Sequence, residues 1–554
     1  MTDSQHIEAK AGLRYALRRI SRLLNPPVTV TAAPADVLFD RDVEIPMRDG
    51  TRLRANVFRP VKEGRFPIIM SAHPYSKDHL PKPGKPLFQY RVMQQSMPIT
   101  HSELTGWEAP DPAYWVPKGY VVVNLDLRGF GRSDGDSALL TALEGQDYFD
   151  AIEWLAKQPW CTGKVGLNGV SYLAISQWRV AAERPPSLAA ICPWEGFTNA
   201  YFDVGRPGGI LDQGFFKLWG GQLLKRGRNA VSLHEAARRH ENYDDWWKSL
   251  APDLAAIEVP ALICASFSDQ LLHSGGSFRG FEKISSNDKW LYTHRGPKWG
   301  TYYSEEVQAL LVRFFDHFLK GENNGFETTP RVRVEVRDTG DAIDRIITSD
   351  QWPPDTVEPL NLYLHAEGLL QEGETASGAM DFDLTRGKAS FLWTVPFDLE
   401  VIGKMRLKLF AELVGAKDAL LFASIHKFRE HKEVVFEGSF GFPLDNVTKG
   451  WLQLSKRQLG PERESLWDVP LTFEKQQPLS AEEIVSAEIP LMESATAFKA
   501  GDLIRLDIQG FWPSPHHPLF GNFPAQYERS PKGRCILHVG GTHDSQIILP
   551  VMSK

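Results

Sequence analysis

The segment that most constrains this chain is short. Gly169-Val-Ser-Tyr-Leu-Ala174 is entered from the apolar run Lys164–Asn168 and leaves into Ile175-Ser-Gln-Trp-Arg-Val-Ala-Ala182. A strand-like run passes through a tight turn into a helix-like one, the unit from which parallel α/β sheets are built. A serine at the tip of such a turn holds its hydroxyl above the C-terminal edge of the sheet. The helix N-terminus beneath it stabilises negative charge. Ser171 is therefore a candidate nucleophile.

The rest of the chain supplies a sheet for that turn. Val43–Phe58 reads as a hairpin around Asp49-Gly50. Pro67–Ala72, Tyr120–Asp126, Ala189–Pro193, Val259–Ala265 and Lys289–His294 are short apolar strands, alternating with helical patterns at Gln146–Gln158 and Glu305–Leu319. Between Glu195 and Ile257 the alternation stops and an aromatic-rich helical stretch intervenes, which predicts a cap inserted on the side of Ser171. After Trp352-Pro-Pro354, short alternating strands divided by Gly, Pro, Asp and Asn predict an all-β sandwich. The expected organisation is an N-terminal helix and linker (1–40), an α/β domain in two parts (41–195 and 258–354), a helical cap (196–257) and a β domain (355–554). In residues 1–25, Leu13, Leu17, Ile20 and Leu24 follow the helical period, with Arg14, Arg18 and Arg22 on another face. That pattern predicts an arm docked on its own protein or on a second subunit, or a basic face for an anionic membrane surface.

Bulk properties exclude several classes. The chain has 554 residues, too many for one core, with 42% hydrophobic and 24% charged residues and a net charge of -7. That balance does not favour nucleic acid. No apolar run reaches the about 18 residues that span a bilayer, and no signal-peptide pattern opens the chain. Cys161, Cys192, Cys264 and Cys535 are scattered, without metal-ligand spacing. The histidines form no HExxH pair. The expectation is a cytoplasmic protein without a catalytic metal or other cofactor.

A nucleophilic serine needs a base, and the base needs an orienting carboxylate. On a sheet of this kind they follow the serine in the order acid, histidine, at later strand ends. Asp269 is the one carboxylate in the turn Ser266-Phe-Ser-Asp269, and His294 ends the strand after it. His273, four residues past Asp269, is the alternative base or a pocket residue. His317 lies on the last helix, where packing is expected. The oxyanion needs donors. One is the Tyr172 backbone N–H. The other falls in the loop His73-Pro-Tyr-Ser-Lys77, which has no glycine run, so the Tyr75 hydroxyl is the candidate. Trp194, Phe197, Trp219 and Trp246 are candidates for an apolar, aromatic-lined pocket.

Taken together these pieces resemble the CocE/NonD family of the X-prolyl dipeptidyl-peptidase superfamily, which includes cocaine esterase, α-amino acid ester hydrolases and glutaryl-cephalosporin acylases. The matching stretches include Met47–Leu53, Pro74–Lys77, Asp126–Ser133, Asp150–Trp154, Gly169–Tyr172, Phe314–Gly321, Gln351–Pro353, Asn522-Phe-Pro524 and His543-Asp544. The resemblance implies an α/β-hydrolase domain with a helical cap and a C-terminal jelly roll. It also implies a Ser-Asp-His triad and a tyrosine hydroxyl in the oxyanion hole, at Tyr75. Two departures stand out. Ala174 occupies a position where the family usually has glycine. The family's Gly-Pro-Trp-x-His loop reads Gly296-Pro-Lys-Trp299 and carries no histidine, while His294 precedes it.

The expected activity is hydrolysis of esters of small, largely apolar or aromatic acyl groups, with amides as further substrates. X-Pro dipeptidyl aminopeptidase or β-lactam acylase activity is the alternative, with Glu195 and Asp203 as anions for a substrate amine. An acyltransferase and a catalytically inactive binding protein are weaker readings. The expected partner is a small ester or amide substrate, with homo-oligomerisation left open.

Overall fold

The computed structural model describes residues 17, 20–340, 342–373, 375–436, 438, 445–513 and 526–553. The Asn522-Phe-Pro524 motif and most of the N-terminal arm lie outside the described residues; residues 20–24 are helical.

The first body is a mostly parallel sheet of β1 (Val37–Pro46), β2 (Arg52–Pro60), β3 (Phe66–His73), β4 (Val121–Asp126), β5 (Cys161–Val170), β6 (Leu188–Trp194), β7 (Ala261–Ser266), β8 (Lys289–His294), β9 (Val332–Thr339) and β10 (Ala342–Ser349). Backbone pairing sets the order β1-β2-β4-β3-β5-β6-β7-β8-β9-β10. The expected hairpin is β1–β2, closed where the Gly50 N–H meets the Met47 carbonyl at 2.9 Å with Gly50 at φ +85°. Central strands are apolar without alternation because both faces are covered; Val165–Val170 is wholly buried. Helices α1 (Ala142–Ala156) and α2 (Tyr172–Ala182) pack on this sheet.

Between β6 and β7 the chain is helical, with α3 (Phe215–Arg226), α4 (Leu233–Arg239) and α5 (Asp245–Ser249), plus tight turns at Tyr201–Gly205 and Pro207–Gly209. After β7 comes α6 (Ser274–Lys283); after β8 come α7 (Lys298–Tyr302) and α8 (Glu305–Phe315).

The C-terminal body is a sandwich of antiparallel sheets. One holds Glu358–Leu364, Gly378–Asp383, Leu399–Val414, Val485–Phe498, Arg534–Val539 and Gln546–Ser553. The other holds Lys388–Thr394, Leu420–Arg429, Thr448–Gln453 and Leu503–Gln509. Leu399–Val414 shows why: every second residue from Met405 to Leu413 is buried. The sandwich leans on the edge of the first body where the serine turn lies. Gln270, directly after Asp269, donates to the Val447 carbonyl at 3.3 Å, and Arg295 pairs with Asp445 at 3.1 Å. Among the described residues no helix is long and apolar enough to cross a membrane.

Candidate active site

Ser171 follows β5 directly and caps α2 with φ +61° and ψ −117°, a strained conformation for a residue with a side chain. Its surroundings enforce it. The Ser171 N–H donates to the Trp194 carbonyl at 3.1 Å, and the Ser171 carbonyl accepts from the N–H groups of Ala174 and Ile175 at 2.9 Å. A Cβ on Gly169 would sit 2.5 Å from Leu173 Cβ, and one on Gly196 would sit 2.6 Å from Ala174 Cβ. The small residues bring helix and strand ends close, and the alanine at 174 is accommodated because Gly196 faces it.

The acid and the histidine come from one turn. The chain leaves β7, and the Asp269 carbonyl accepts from the N–H groups of Leu272, His273 and Ser274 at 3.1–3.2 Å. This helical turn puts positions four apart on one face. Asp269 Oδ2 is therefore bonded to His273 Nδ1, and His273 Nε2 lies 3.3 Å from Ser171 Oγ. Both Asp269 and His273 are buried.

His294, the expected base, is placed elsewhere. As the last residue of β8 it follows the pleat of the strand, and its Nε2 meets Glu195 Oε1 at 3.0 Å. Its ring stacks on Trp194 at 6.0 Å. The histidine that reaches the serine is His273, which the sequence offered only as the alternative. His317 lies at the C-terminal end of α8, packed on Phe318 with ring centroids 4.7 Å apart.

Burial drives Asp269 upward, but Lys298 and His273 outweigh it and hold the carboxyl below its ordinary value. Burial, reinforced by Lys298, holds the His273 imidazole below its ordinary value against the pull of Asp269. At neutral pH the ring is thus neutral and able to take a proton.

Tyr75 stands on the far side of the serine. Its loop is pinned by Lys77, whose backbone N–H donates to Asp126 Oδ1 at 2.7 Å and whose buried ammonium meets Asp42 at 2.5 Å and Asp78 at 2.9 Å. Burial pushes the Tyr75 phenol well above its ordinary value and Glu108 adds to this, while Trp219 and Ser171 partly offset it. The hydroxyl stays protonated and can donate. The Tyr172 N–H opens α2, where a helix provides no internal acceptor. Its side chain is occupied, with the hydroxyl donating to Glu144 at 2.7 Å.

Two of the expected pocket aromatics meet the site. The Trp219 indole donates to the Tyr75 oxygen at 3.4 Å, and Phe197 stacks parallel to the His273 ring at 6.4 Å. Two do not. Trp194 is fully buried beneath the turn against Tyr292 and Tyr302, because it is still part of β6. Trp246 stacks on His240 at 4.7 Å on the short helix α5.

Sequence reasoning passed over two buried charges. Glu108 (φ +64°) accepts from the Trp299 indole at 3.1 Å, and burial raises its carboxyl to about 8. Lys298 contacts Asp269 at 2.6 Å. Among the described residues, Glu195, Cys264 and His294 bring ligand-type atoms within 4.8 Å of one another. That cluster already has its cation, since Lys298 Nζ lies 3.7 Å from Glu195. Burial also raises the Cys264 thiol well above its ordinary value, so it is not prepared as a thiolate ligand.

The chain is similar to known proteins over most of its length. Residues 49–230 match the X-Pro dipeptidyl-peptidase (S15 family) and residues 324–548 the X-Pro dipeptidyl-peptidase C-terminal non-catalytic domain. Cocaine esterase of a Rhodococcus species is 27% identical over 375 residues, 57% of this chain and 60% of that enzyme, so the chain matches about three fifths of that relative's length. A putative Xaa-Pro dipeptidyl-peptidase of Bacillus anthracis is 23% identical over 73% of either chain. The crystal structure of a CocE/NonD family hydrolase from Staphylococcus aureus is 36% identical and superposes with a TM-score of 0.89, covering 96% of this chain and 100% of that one. With that likeness over nearly the whole chain, the chain belongs to the CocE/NonD family of hydrolases.

Proposed function

We propose that this protein is a serine hydrolase that cleaves carboxylic esters of small, largely apolar or aromatic acyl groups. One observation carries the reading: Ser171 Oγ lies 3.3 Å from His273 Nε2, whose other nitrogen is bonded to Asp269. In this mechanism His273 Nε2 takes the Ser171 proton as Oγ attacks the carbonyl carbon. The Tyr75 O–H and Tyr172 N–H donate to the oxyanion. His273 returns the proton to the leaving alcohol, and the acyl group stays on Ser171. Water, deprotonated by the same nitrogen, then releases the acid and restores the hydroxyl. Phe197 and Trp219 beside the reacting atoms favour an apolar acyl group. Four free, buried cysteines fit a reducing, cytoplasmic setting.

The X-Pro peptidase reading requires an anion for the substrate's free amine. Of the two acids expected to supply it, Asp203 holds Arg279 at 2.9 Å and accepts from the Thr198 and Asn199 N–H groups. Glu195 is bonded to His294. Both are engaged within the protein, which favours esters over aminoacyl amides. The test is fluorophosphonate labelling with peptide mass spectrometry, followed by matched aryl ester and X-Pro anilide substrates. Modification at Ser171 with faster ester turnover is expected. A folded protein left unlabelled at Ser171 overturns the reading.

A further inference from the structure

Lys298 opens α7 in the loop after β8, and its side chain is fully buried. Its Nζ lies 2.6 Å from Asp269 Oδ2, 2.8 Å from His273 Nδ1 and 3.7 Å from Glu195 Oε2. The short helix that carries it is locked in the core. Trp299 packs on Trp107 with ring centroids 5.0 Å apart, and Gly300 leaves no room for a Cβ, which would sit 2.6 Å from Met97. A serine, histidine and aspartate suffice for the proton transfers above, yet a buried ammonium is costly unless its surroundings use it.

We propose that Lys298 is a positioning residue for the base: its ammonium holds Asp269 and keeps the His273 proton on Nδ1, leaving Nε2 open to the Ser171 hydroxyl. This rests on the reading of His273 as the base. Asp269 Oδ2 touches both His273 Nδ1 and Lys298 Nζ, while Asp269 Oδ1 has no hydrogen-bond partner among the described residues. Nδ1 and Oδ2 are hydrogen-bond partners, so one proton lies between them. Lys298 keeps the carboxylate ionised, so the proton sits on Nδ1. The opposite tautomer, with Lys298 donating to a bare Nδ1, would set lone pair against carboxylate and put the ring proton on Nε2, where it blocks the serine. An ammonium and an Nδ1–H both aimed at one carboxylate oxygen give each donor an ionised acceptor.

The ammonium also acts on the ring through its charge. The charged groups acting on His273 and Lys298 are Asp269 on the turn of His273, Glu195 after β6 and Glu108 from the segment before β4, while His294 is bonded to Glu195 and Tyr75 lies beside Ser171. Farther off, the Arg279–Asp203 pair neutralises itself. Within this set Lys298 is the charge that opposes an imidazolium, so it extends the working range of the base toward acid.

The experiment uses the full chain. Lys298→Met and Lys298→Arg are compared with wild type in the pH dependence of kcat/KM for an aryl ester and in the rate of fluorophosphonate inactivation. Lys298→Met is expected to move the acid limb upward by about one pH unit or more, and Lys298→Arg to leave it near wild type. A uniform loss with the limb in place marks a merely structural lysine and overturns the proposal. Should Lys298→Met fail to fold, Lys298→Met/Glu195→Gln removes one charge of each sign and is expected to shift the limb in the same direction. Independently of activity, 15N imidazole shifts of wild type are expected to show His273 protonated on Nδ1; protonation on Nε2 overturns the proposal whatever the variants do. A wild type that neither turns over esters nor labels refutes the hydrolase reading instead, and turnover surviving in His273→Ala refutes the base assignment.

Discussion

Two histidines compete for one role, and their removal has opposite consequences. His273→Ala deletes the only ring nitrogen within hydrogen-bond reach of Ser171 Oγ among the described residues, at 3.3 Å. Loss of a triad base lowers kcat by about 10^6-fold, the remainder coming from the oxyanion donors and binding. The fold should tolerate this, because Lys298 remains at 2.6 Å from Asp269 and keeps it paired. His294→Ala does the reverse. It removes a buried ring from between Trp194 and Glu195 and leaves Glu195 Oε1 without its 3.0 Å donor. Losing a buried hydrogen bond to a charged group costs about 1.5–3 kcal/mol, and a ring-sized cavity adds a similar amount, about 2–4 kcal/mol. His294→Ala should therefore melt earlier yet keep turnover within about tenfold of wild type at a permissive temperature, since it deletes nothing from the proton path. Steady-state ester hydrolysis, fluorophosphonate labelling and apparent melting temperature on both variants make the test. Labelling lost in His294→Ala with melting unchanged, and retained in His273→Ala, would refute the assignment of the base to the Asp269 turn.

Tyr75→Phe removes one oxyanion donor and leaves the aromatic packing, so kcat should fall about 10^2–10^3-fold with KM little changed; a KM effect alone would mean that Tyr75 only lines the pocket. Gly196→Ala places a Cβ 2.6 Å from Ala174 Cβ and 3.0 Å from the Ile175 nitrogen, so α2 must shift; a loss of about 1–3 kcal/mol of stability is expected, together with reduced kcat because α2 carries the Tyr172 N–H. Glu108, raised to about 8 by burial, stays protonated in the native state at pH values where the unfolded chain has ionised it. The contribution is present in full below the unfolded value and is lost as pH rises through about 8, at up to about 1.4 kcal/mol per pH unit. Glu108→Gln keeps the Trp299 acceptor and removes the titration. Its melting temperature relative to wild type should climb between pH 5.5 and pH 8; a constant difference would count against the buried, neutral carboxyl.

The sheet was legible in the sequence because its central strands are buried on both faces and read as uninterrupted apolar runs. The serine turn was legible because a strand, a turn and a helix leave three different patterns within nineteen residues, Lys164–Ala182. Trp194 and Trp246 show the opposite limit. An aromatic near a serine turn in sequence is as readily under the sheet as over it. Which one occurs depends on whether the strand has ended, a boundary that the run Ala189–Trp194 does not mark.

The histidine that meets Ser171 was harder to read, for a reason that bears on how the site is built. Both Asp269 then His273 and Asp269 then His294 satisfy the chain order acid, histidine. Order cannot separate them; geometry can. A histidine inside the last turn of a strand inherits its direction from the pleat, and at His294 that direction leads to Glu195. Four residues of helical turn, by contrast, set His273 over Asp269 whatever the strands do. The spacing Asp-x-x-x-His just past a strand end was therefore the usable signal, together with the missing histidine in Gly296-Pro-Lys-Trp299. The place the structure gives that altered loop is informative in turn. It delivers an ammonium to the acid–histidine pair from the strand that was expected to deliver the imidazole itself. Charge and histidine thus have different strands of origin: α7 fixes Lys298 in the core, while the β7 turn keeps His273 against Ser171.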